Sequence, residues 1–171
     1  MNITLRHETP ADVDAIATLT AAAFLHAEHS SRTEQFIVNA LRAAGALTLS
    51  LVAEHNGTPI GHASVSPVIL SNGTAGWYGL APVSVLPASQ SRGIGSRLIR
   101  QLLAELQKRH AAGCVVLGDP NYYGRFGFQA QTALTLPGVP GVPQDYFRAI
   151  AFQGALPCAE VAFHNAFNAE S

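Results

Sequence analysis

The chain has 171 residues, of which 48% are hydrophobic and 12% are charged. That length and apolar content exclude a disordered chain and predict one domain, over residues 1–171, with a sizeable core. The formal net charge of −1 argues against bulk nucleic-acid binding.

The first half of the chain predicts a strand, two helices and an antiparallel hairpin. Residues 3–7 alternate as a short strand, and Thr9 with Pro10 marks a helix start. A capping box over residues 31–34 begins a second helix, which Gly45 ends. The strands predicted next cover residues 47–55, 59–70 and 77–86, with turns at Asn56-Gly57 and Asn72-Gly73.

The second half predicts a long amphipathic helix followed by buried strands. Apolar residues recur on one helical face from residue 94 to residue 106. The other predicted elements are a strand at 114–117, a short helix or turn at 119–123, a Pro/Gly-rich loop at 136–143, and strands at 147–152 and 158–163. Strands and helices mixed in this order indicate an α/β (α+β) domain.

The cysteines and the N-terminus bear on the cellular setting. Arg6, His7 and Glu8 stand where a signal peptide would have its apolar core, and no segment reaches the length of a membrane span. Cys114 and Cys158 make no disulfide framework, and Cys114 lies in an apolar run typical of a buried free thiol. We predict a cytoplasmic protein with no membrane partner, no nucleic-acid partner and no bound metal.

The stretch from Leu80 to Leu106 organises the chain. An apolar run around Val83 and Val85 leads into a polar turn, and Gly93-Ile94-Gly95 then opens the amphipathic helix. The first turn of a helix presents free N–H groups and the positive end of the helix dipole, and glycines allow a ligand to approach closely. This pattern predicts an anion site suited to phosphate, although glycines that only pack a helix entry would look similar.

Basic residues cluster on the same helix. Five of the ten lysines and arginines lie there, opposed only by Glu105: Arg92, Arg97, Arg100, Lys108 and Arg109. Those near the helix start, Arg92 and Arg97, are the better phosphate candidates, whereas those near its end suit the negative pole of the dipole.

The glycine pattern separates several phosphate-binding families. No P-loop is present, and Leu98 stands where a Rossmann fingerprint needs its third glycine. The pattern Gln90-x-x-Gly93-x-Gly95, preceded by Val83-x-Val85-x-Pro87, resembles the acetyl-CoA signature of the GNAT family of N-acetyltransferases.

A second motif strengthens this resemblance. Residues 119–128 read DPNYYGRFGF, and Tyr123, Gly127 and Phe128 have the spacing of a tyrosine and a Gly-Phe pair found in many GNAT proteins. The longer phrase LGDPNYYGRFGF is similar to the bacterial YhbS-type branch of that family. The resemblance runs from about residue 3 to about residue 167.

The resemblance implies the GNAT fold, with acetyl-CoA as co-substrate. That fold has a mostly antiparallel sheet of about seven strands flanked by helices, and its fourth and fifth strands splay apart to admit the cofactor. Pro82 would bulge the fourth strand, so that the N–H of Val83 could bond the thioester carbonyl while Val85 bonds pantetheine. The residues expected to contact the cofactor are Val83, Ser84, Val85, Gln90, Ser91, Arg92, Gly93, Ile94, Gly95, Ser96 and Arg97.

Tyr123 is the predicted proton donor, with Val83 as the other catalytic group. A phenol can return a proton to the leaving thiolate, since the two groups have neighbouring pKa values of ~10 and ~8.5. Packing of Tyr123 in the core is the alternative. Tyr122 is expected to serve packing.

The general base is not apparent from the sequence. Some family members have a glutamate on the fourth strand, but that position aligns with Gly79. The other candidates are His62, Glu54 and Asp119, of which Asp119 is more plausibly a helix cap and His62 a structural histidine beside Ser64 and Ser66. Removal of the proton by solvent is the remaining alternative.

Three functions therefore stay open at this point. The first is acetyl transfer to a primary amine, without an acyl-enzyme because no nucleophile stands beside a base. The others are a non-catalytic acyl-CoA sensor and transfer of a longer acyl group.

The first helices would line the acceptor site with Phe24, His26, His29 and Phe36. Late aromatics could serve a homodimer or, more simply, the core: Phe147, Phe152, Phe163 and Phe167.

Overall fold

The structure, a computed structural model of the chain, describes residues 1–139 and 141–171. Its helices are α1 (Val13–Phe24), α2 (Glu34–Ala43), α3 (Ile94–Lys108) and α4 (Pro120–Tyr123). Its strands are β1 (Thr4–His7), β2 (Leu49–His55), β3 (Thr58–Pro67), β4 (Ile69–Leu70), β5 (Trp77–Val85), β6 (Gly113–Leu117), β7 (Gln129–Ala130), β8 (Leu134–Thr135), β9 (Phe147–Ala151) and β10 (Ala159–Ala162).

Seven of these strands form one sheet in the order β1-β2-β3-β5-β6-β9-β7, and β4, β10 and β8 form a second, smaller sheet. Within the described residues, β5 and β6 are the only parallel neighbours of the large sheet. The expected mostly antiparallel sheet of about seven strands is thus confirmed. None of the helices among these residues is long and apolar enough to cross a membrane.

One predicted strand differs from the structure, and two short strands were not predicted. The strand predicted over residues 59–70 is divided after Pro67: Val68 still donates to the Trp77 carbonyl of β5, but Ile69 and Leu70 pair with β10 instead. The two-residue strands β7 and β8 are too short for a periodic signal. The predicted loop at 136–143 includes position 140, which lies outside the described residues.

The predicted capping box at residues 31–34 does not form. Arg32 adopts a left-handed backbone with φ of 61°, so α2 begins only at Glu34 with Thr33 before it. Ser31 therefore bonds Thr33 instead of capping the helix, and the Glu34 carboxylate accepts from Ser30.

The core on one face of the large sheet lies beneath α3. Leu98, Ile99 and Leu102 are fully buried against apolar residues of β2, β3 and β5. Cys114 is buried in this core as a free thiol, as predicted. The late aromatics Phe147, Phe152, Phe163 and Phe167 all pack against core clusters.

The opposite face of the same strands is polar, although it is equally buried. Ile16 of α1 and Val38 of α2 pack on Val52 there. A set of small polar side chains and one histidine, which we call the polar layer, is buried on this side: Thr20, Ser50, His62, Ser64, Ser66 and Ser84.

The two central strands separate along their length. β5 pairs with β6 only from Trp77 to Gly79, opposite Gly113 to Val115. Beyond that point β5 continues to Val85 beside β3, while β6 continues to Leu117 beside β9. A gap therefore opens between β5 and β6, as expected for the splayed fourth and fifth strands of the resemblance.

A β-bulge interrupts β5 at the start of this gap. Ala63 lies opposite Val83 and Val65 lies opposite Leu80, so two residues, Ala81 and Pro82, face the single residue Ser64. The peptide bond between Ala81 and Pro82 is cis.

Candidate active site

A cavity of about 520 Å³ lies at the open end of the gap, between the second half of β5, the start of α3 and the segment around α4. That volume is in the range of small-molecule and cofactor sites. Its lining includes Val83, Val85, Ser89, Gln90, Ser91, Gly93, Ile94, Gly95, Ser96, Tyr122, Tyr123 and Arg125. Nine of the predicted site residues are therefore brought together at one cavity.

The bulge directs the backbone of Val83 and Val85 into the gap. Before the bulge, the Val68 N–H donates to the Trp77 carbonyl, so the backbone groups of Trp77 face β3. Beyond the bulge, the Leu86 N–H donates to the Ile60 carbonyl, so the backbone groups of Leu86 face β3. Backbone groups alternate between the two edges of a strand, and the extra residue shifts that alternation by one. Ser84 and Leu86 consequently face β3, and Val83 and Val85 face the open edge.

The loop before α3 is tied to that open edge. The side-chain amide of Gln90 donates to the carbonyl of Val85 at 3.0 Å. Gly93 precedes the helix with a left-handed φ of 77°, which favours glycine. The motif glutamine thus fixes the loop against β5, and the motif glycine provides the turn into the helix.

The start of α3 offers the donors that the sequence predicted. Ile94, Gly95 and Ser96 occupy its first turn, where N–H groups have no carbonyl one turn earlier to bond, while Arg97 already donates to Gly93 at 3.1 Å. A Cβ at Gly95 would lie 2.7 Å from the Tyr122 hydroxyl. The absence of a side chain at Gly95 therefore allows the Tyr122 hydroxyl to approach the helix closely.

Arg97 does not line the cavity. Its guanidinium donates to the Ile3 carbonyl at 3.0 Å, on the side of β1 and away from the cavity, and its amide is used within α3. Arg92 is exposed on the loop and does not line the cavity. Helical periodicity located both arginines near the helix start but could not show where their side chains turn.

Ser84 also departs from the prediction. Its side chain belongs to the polar layer, since it is 1% exposed and alternates with Val83 and Val85, whose side chains pack on the core beneath α3. The Ser84 hydroxyl therefore points away from the cavity that those residues line.

Arg125 is the cationic side chain that sequence reasoning missed. It lines the cavity, lies over the Tyr122 ring with its guanidinium carbon 4.7 Å from the ring centroid, and approaches the Ser96 hydroxyl at 3.4 Å. A positive charge therefore stands at the start of α3, where the dipole is also positive. The available signal was its position within the DPNYYGRFGF motif.

Tyr123 lines the same cavity from the end of α4. Its ring packs edge-on against Phe128, with centroids 6.1 Å apart, and lies directly against Gly118, where a Cβ would clash. Burial raises the pKa of the phenol above its ordinary value of 10, with a smaller contribution from Tyr122. The phenol is thus held in its protonated form throughout the neutral range.

The other candidate bases have structural partners. Glu54 accepts from the Arg6 guanidinium at 2.8 Å, and the Asp119 carboxylate accepts from the Asn121 N–H at 2.8 Å, which makes it the cap of α4. The Phe163 ring covers Gly79 so closely that a side chain there would clash. An aromatic ring therefore occupies the place beside β5 that a glutamate would need.

His62 is fully buried in the polar layer. Its Nε2 lies 2.7 Å from the Ser50 hydroxyl, and its Nδ1 has no partner among the described residues. Burial lowers its pKa from 6.5 to about 4, so the imidazole is neutral at physiological pH. The structure thus favours the structural role of His62 over a direct role at the cavity.

The sequence and the fold both match one family. Residues 13–128 match the model of the Acetyltransferase (GNAT) family. The chain is 36% identical over 126 residues to the uncharacterized N-acetyltransferase YhbS of Escherichia coli K12, and the match spans 73% of this chain and 72% of that protein. The chain therefore belongs to the GNAT acetyltransferase family.

Solved structures of two relatives agree closely with the fold. One is a GNAT family acetyltransferase from Brucella melitensis in complex with acetyl-CoA, with 48% identity, a TM-score of 0.86, and coverage of 97% of this chain and 98% of that one. The other is Escherichia coli YhbS in complex with CoA, with 30% identity, a TM-score of 0.88, and coverage of 98% and 93%. The GNAT fold predicted from the two motifs is confirmed.

Proposed function

We propose that residues 1–171 act as one N-acetyltransferase domain, which transfers the acetyl group of acetyl-CoA directly to a primary amine of a small molecule or peptide. The main support is the cavity in the gap between β5 and β6, which is lined by the unpaired edge of β5, the glycine-rich start of α3 and a protonated tyrosine. The acetyl-CoA complex of the Brucella relative supports the choice of cofactor.

The cofactor would bind in an extended form along the open edge of β5. The pantetheine amides would bond Val85 as an additional strand does, and the pyrophosphate would accept from the N–H groups of Ile94, Gly95 and Ser96. Arg125 would add a charged contact to the phosphates from the other wall of the cavity.

The Val83 N–H would hold the thioester carbonyl. Attack by a neutral amine on the carbonyl carbon moves the carbonyl electron pair onto oxygen, and a preorganised donor stabilises that charge more in the transition state than in the ground state. Collapse of the intermediate re-forms the carbonyl, breaks the C–S bond and leaves a thiolate.

Tyr123 would act on the departing sulfur. Because burial keeps the phenol protonated, it enters the reaction as a hydrogen-bond donor to the developing thiolate. Because the raised pKa makes the phenol a weaker acid than a thiol, solvent supplies the proton that the sulfur finally gains. The nitrogen loses one proton to solvent and the sulfur gains one from it, so the products are an amide and free CoA thiol.

The proton of the amine would leave to solvent. Glu54 and Asp119 are engaged elsewhere, and Phe163 covers Gly79. If none of these three positions supplies a base, the rate follows the fraction of neutral amine. We therefore expect kcat/KM to rise with pH up to the pKa of whichever amine is used.

Calorimetric binding followed by an amine screen tests the proposal. Acetyl-CoA and 3′-dephospho-CoA are titrated into wild type and Gly95→Trp, whose indole would fill the cavity at the helix start. Binding by wild type that the substitution abolishes, with an unchanged melting temperature, supports the phosphate loop. Release of CoA thiol with any amine of a broad panel supports transfer.

Two results would contradict the proposal. Absence of acetyl-CoA binding by wild type would remove the cofactor on which the reaction depends. Tight binding without turnover across the whole panel would favour the non-catalytic acyl-CoA sensor.

A further inference from the structure

The bulge in β5 leaves a backbone carbonyl that the sheet does not pair regularly. Ala81 and Pro82 both oppose Ser64, and Pro82 has no N–H to contribute. The residues of a bulge leave the regular ladder, so the carbonyl of the half-buried Ala81 needs a donor from elsewhere.

Ser64 provides that partner. Its side chain is fully buried in the polar layer, and its hydroxyl donates to the Ala81 carbonyl at 3.1 Å. The contact joins the middle of β3 to the residue of β5 at which the backbone alternation shifts. No other side-chain donor to this carbonyl is found in residues 1–139 and 141–171.

The alternation shift decides which way the backbone of the site faces. Without the extra residue, Val83 and Val85 would share the direction of Trp77, whose carbonyl accepts from Val68 on the β3 side. Their N–H groups would then be used within the sheet. The open edge beside the cavity depends on the bulge.

We propose that Ser64 is a positioning residue for acetyl transfer: by bonding the Ala81 carbonyl it holds the bulge that turns the Val83 N–H toward the thioester. This inference rests on the proposed function of the cavity. Ser64 touches neither cofactor nor acceptor and acts only through β5.

Ser66 offers a matched control on the same strand. It is two residues away on the same face, is also fully buried, and its hydroxyl has no partner among the described residues. Removing either hydroxyl takes the same atom from an equally buried position. Only the substitution at Ser64 takes a bond from the bulge.

The experiment compares steady-state kinetics of wild type, Ser64→Ala, Ser64→Cys and Ser66→Ala with an accepted amine. We expect Ser64→Ala to lower kcat about tenfold with KM for acetyl-CoA changed less than about twofold, because loss of an oxyanion donor itself costs ~100-fold or more. Ser64→Cys, which keeps the volume and a weak donor, should fall in between, and Ser66→Ala should match wild type. Melting temperatures identify any variant that does not fold, in which case Ser64→Cys carries the comparison.

A second readout does not depend on turnover. The ratio of the acetyl-CoA affinity to the CoA affinity should fall about threefold in Ser64→Ala and stay constant in Ser66→Ala, since one hydrogen bond to the acetyl carbonyl is worth roughly that factor. Wild-type kcat and an unchanged affinity ratio in Ser64→Ala would overturn the inference. Equal losses in Ser64→Ala and Ser66→Ala would do the same, whereas an inactive wild type with the expected ratios would contradict only the proposed function.

Discussion

Polar groups collect in two places around β5, one at the cavity and one in the buried polar layer. In the gap beside β6, the polar groups are backbone amides, Tyr123 and Arg125, and they face a space of about 520 Å³. In the polar layer the groups are hydroxyls and an imidazole, sealed beneath α1. The comparison teaches that polarity within an apolar sequence does not by itself locate a ligand site, because a sheet has two faces and two edges.

The two places should respond differently to substitution. Removing a group from the gap should change binding or turnover and leave stability nearly constant. Removing a group from the polar layer should change stability and leave chemistry constant, with Ser64 as the proposed exception.

The largest effect we expect is on the pH dependence of stability through His62. Burial lowers the pKa of His62 from 6.5 to about 4. The positive charge of Arg42 lowers it further, whereas the negative charges of Glu8 and Asp12 partly oppose the shift. As pH falls through this window the unfolded chain binds a proton that the folded chain does not, so stability falls with pH. The loss reaches about 3 kcal/mol at pH 4, is below about 0.5 kcal/mol at pH 6.5 and vanishes at higher pH.

Chemical denaturation of wild type and His62→Gln between pH 6.5 and pH 5 measures this effect. Glutamine keeps a donor near Ser50 and has no proton to gain, so its curve should be flatter. Glu8 and Asp12 have lowered pKa values, and they add their own losses only at more acidic pH. Identical slopes for the two proteins would show that His62 is not buried and neutral.

In the gap, Tyr123→Phe should lower kcat by about 100-fold, which is within the range for losing one hydrogen-bond donor to developing negative charge. Affinity for acetyl-CoA and melting temperature should stay close to wild type, because phenylalanine keeps the packing against Phe128. Tyr122→Phe is the neighbouring control and should have a far smaller effect on kcat. A kcat near wild type for Tyr123→Phe would leave the tyrosine with packing alone.

Arg125→Ala should weaken acetyl-CoA binding about tenfold, which is ~1.4 kcal/mol for one charge-assisted contact. Calorimetry at low and high salt should show a smaller penalty at high salt, since Arg125 is exposed. Arg97→Ala is the control, because that guanidinium bonds Ile3. An equal penalty with 3′-dephospho-CoA would assign the contact to the pyrophosphate, and affinities equal to wild type would exclude Arg125 from the cofactor site.

The sequence predicts those parts of the gap and of the polar layer whose residues lie close together along the chain. The loop from Gln90 to Gly95 and helix α3 carry their information within a few residues, and the structure has both where they were expected. Pro82 marked the bulge in advance, because a proline inside a strand must leave the ladder. Periodicity also put His62, Ser64 and Ser66 on one face.

What the sequence did not reveal depends on distant parts of the chain meeting in space. Arg125 lies twenty-nine residues from Ser96 and only the fold brings it to the same helix start. Arg97 turns to Ile3, ninety-four residues away, which no local pattern could indicate. The ring of Phe163 likewise packs on Gly79 from a distant part of the chain. It fills the space that a glutamate side chain at position 79 would need.

The smallest effect should come from Thr20, the member of the polar layer that α1 contributes. Its hydroxyl is fully buried and has no partner among the described residues. Thr20→Val removes that desolvated group and keeps the branched shape, so we expect unfolding to cost up to about 1 kcal/mol more, with kcat and acetyl-CoA affinity unchanged. Thermal denaturation decides the sign. A loss of stability would mean that the hydroxyl is hydrogen-bonded to a buried water. The polar layer would then contain ordered water that pairs its polar groups.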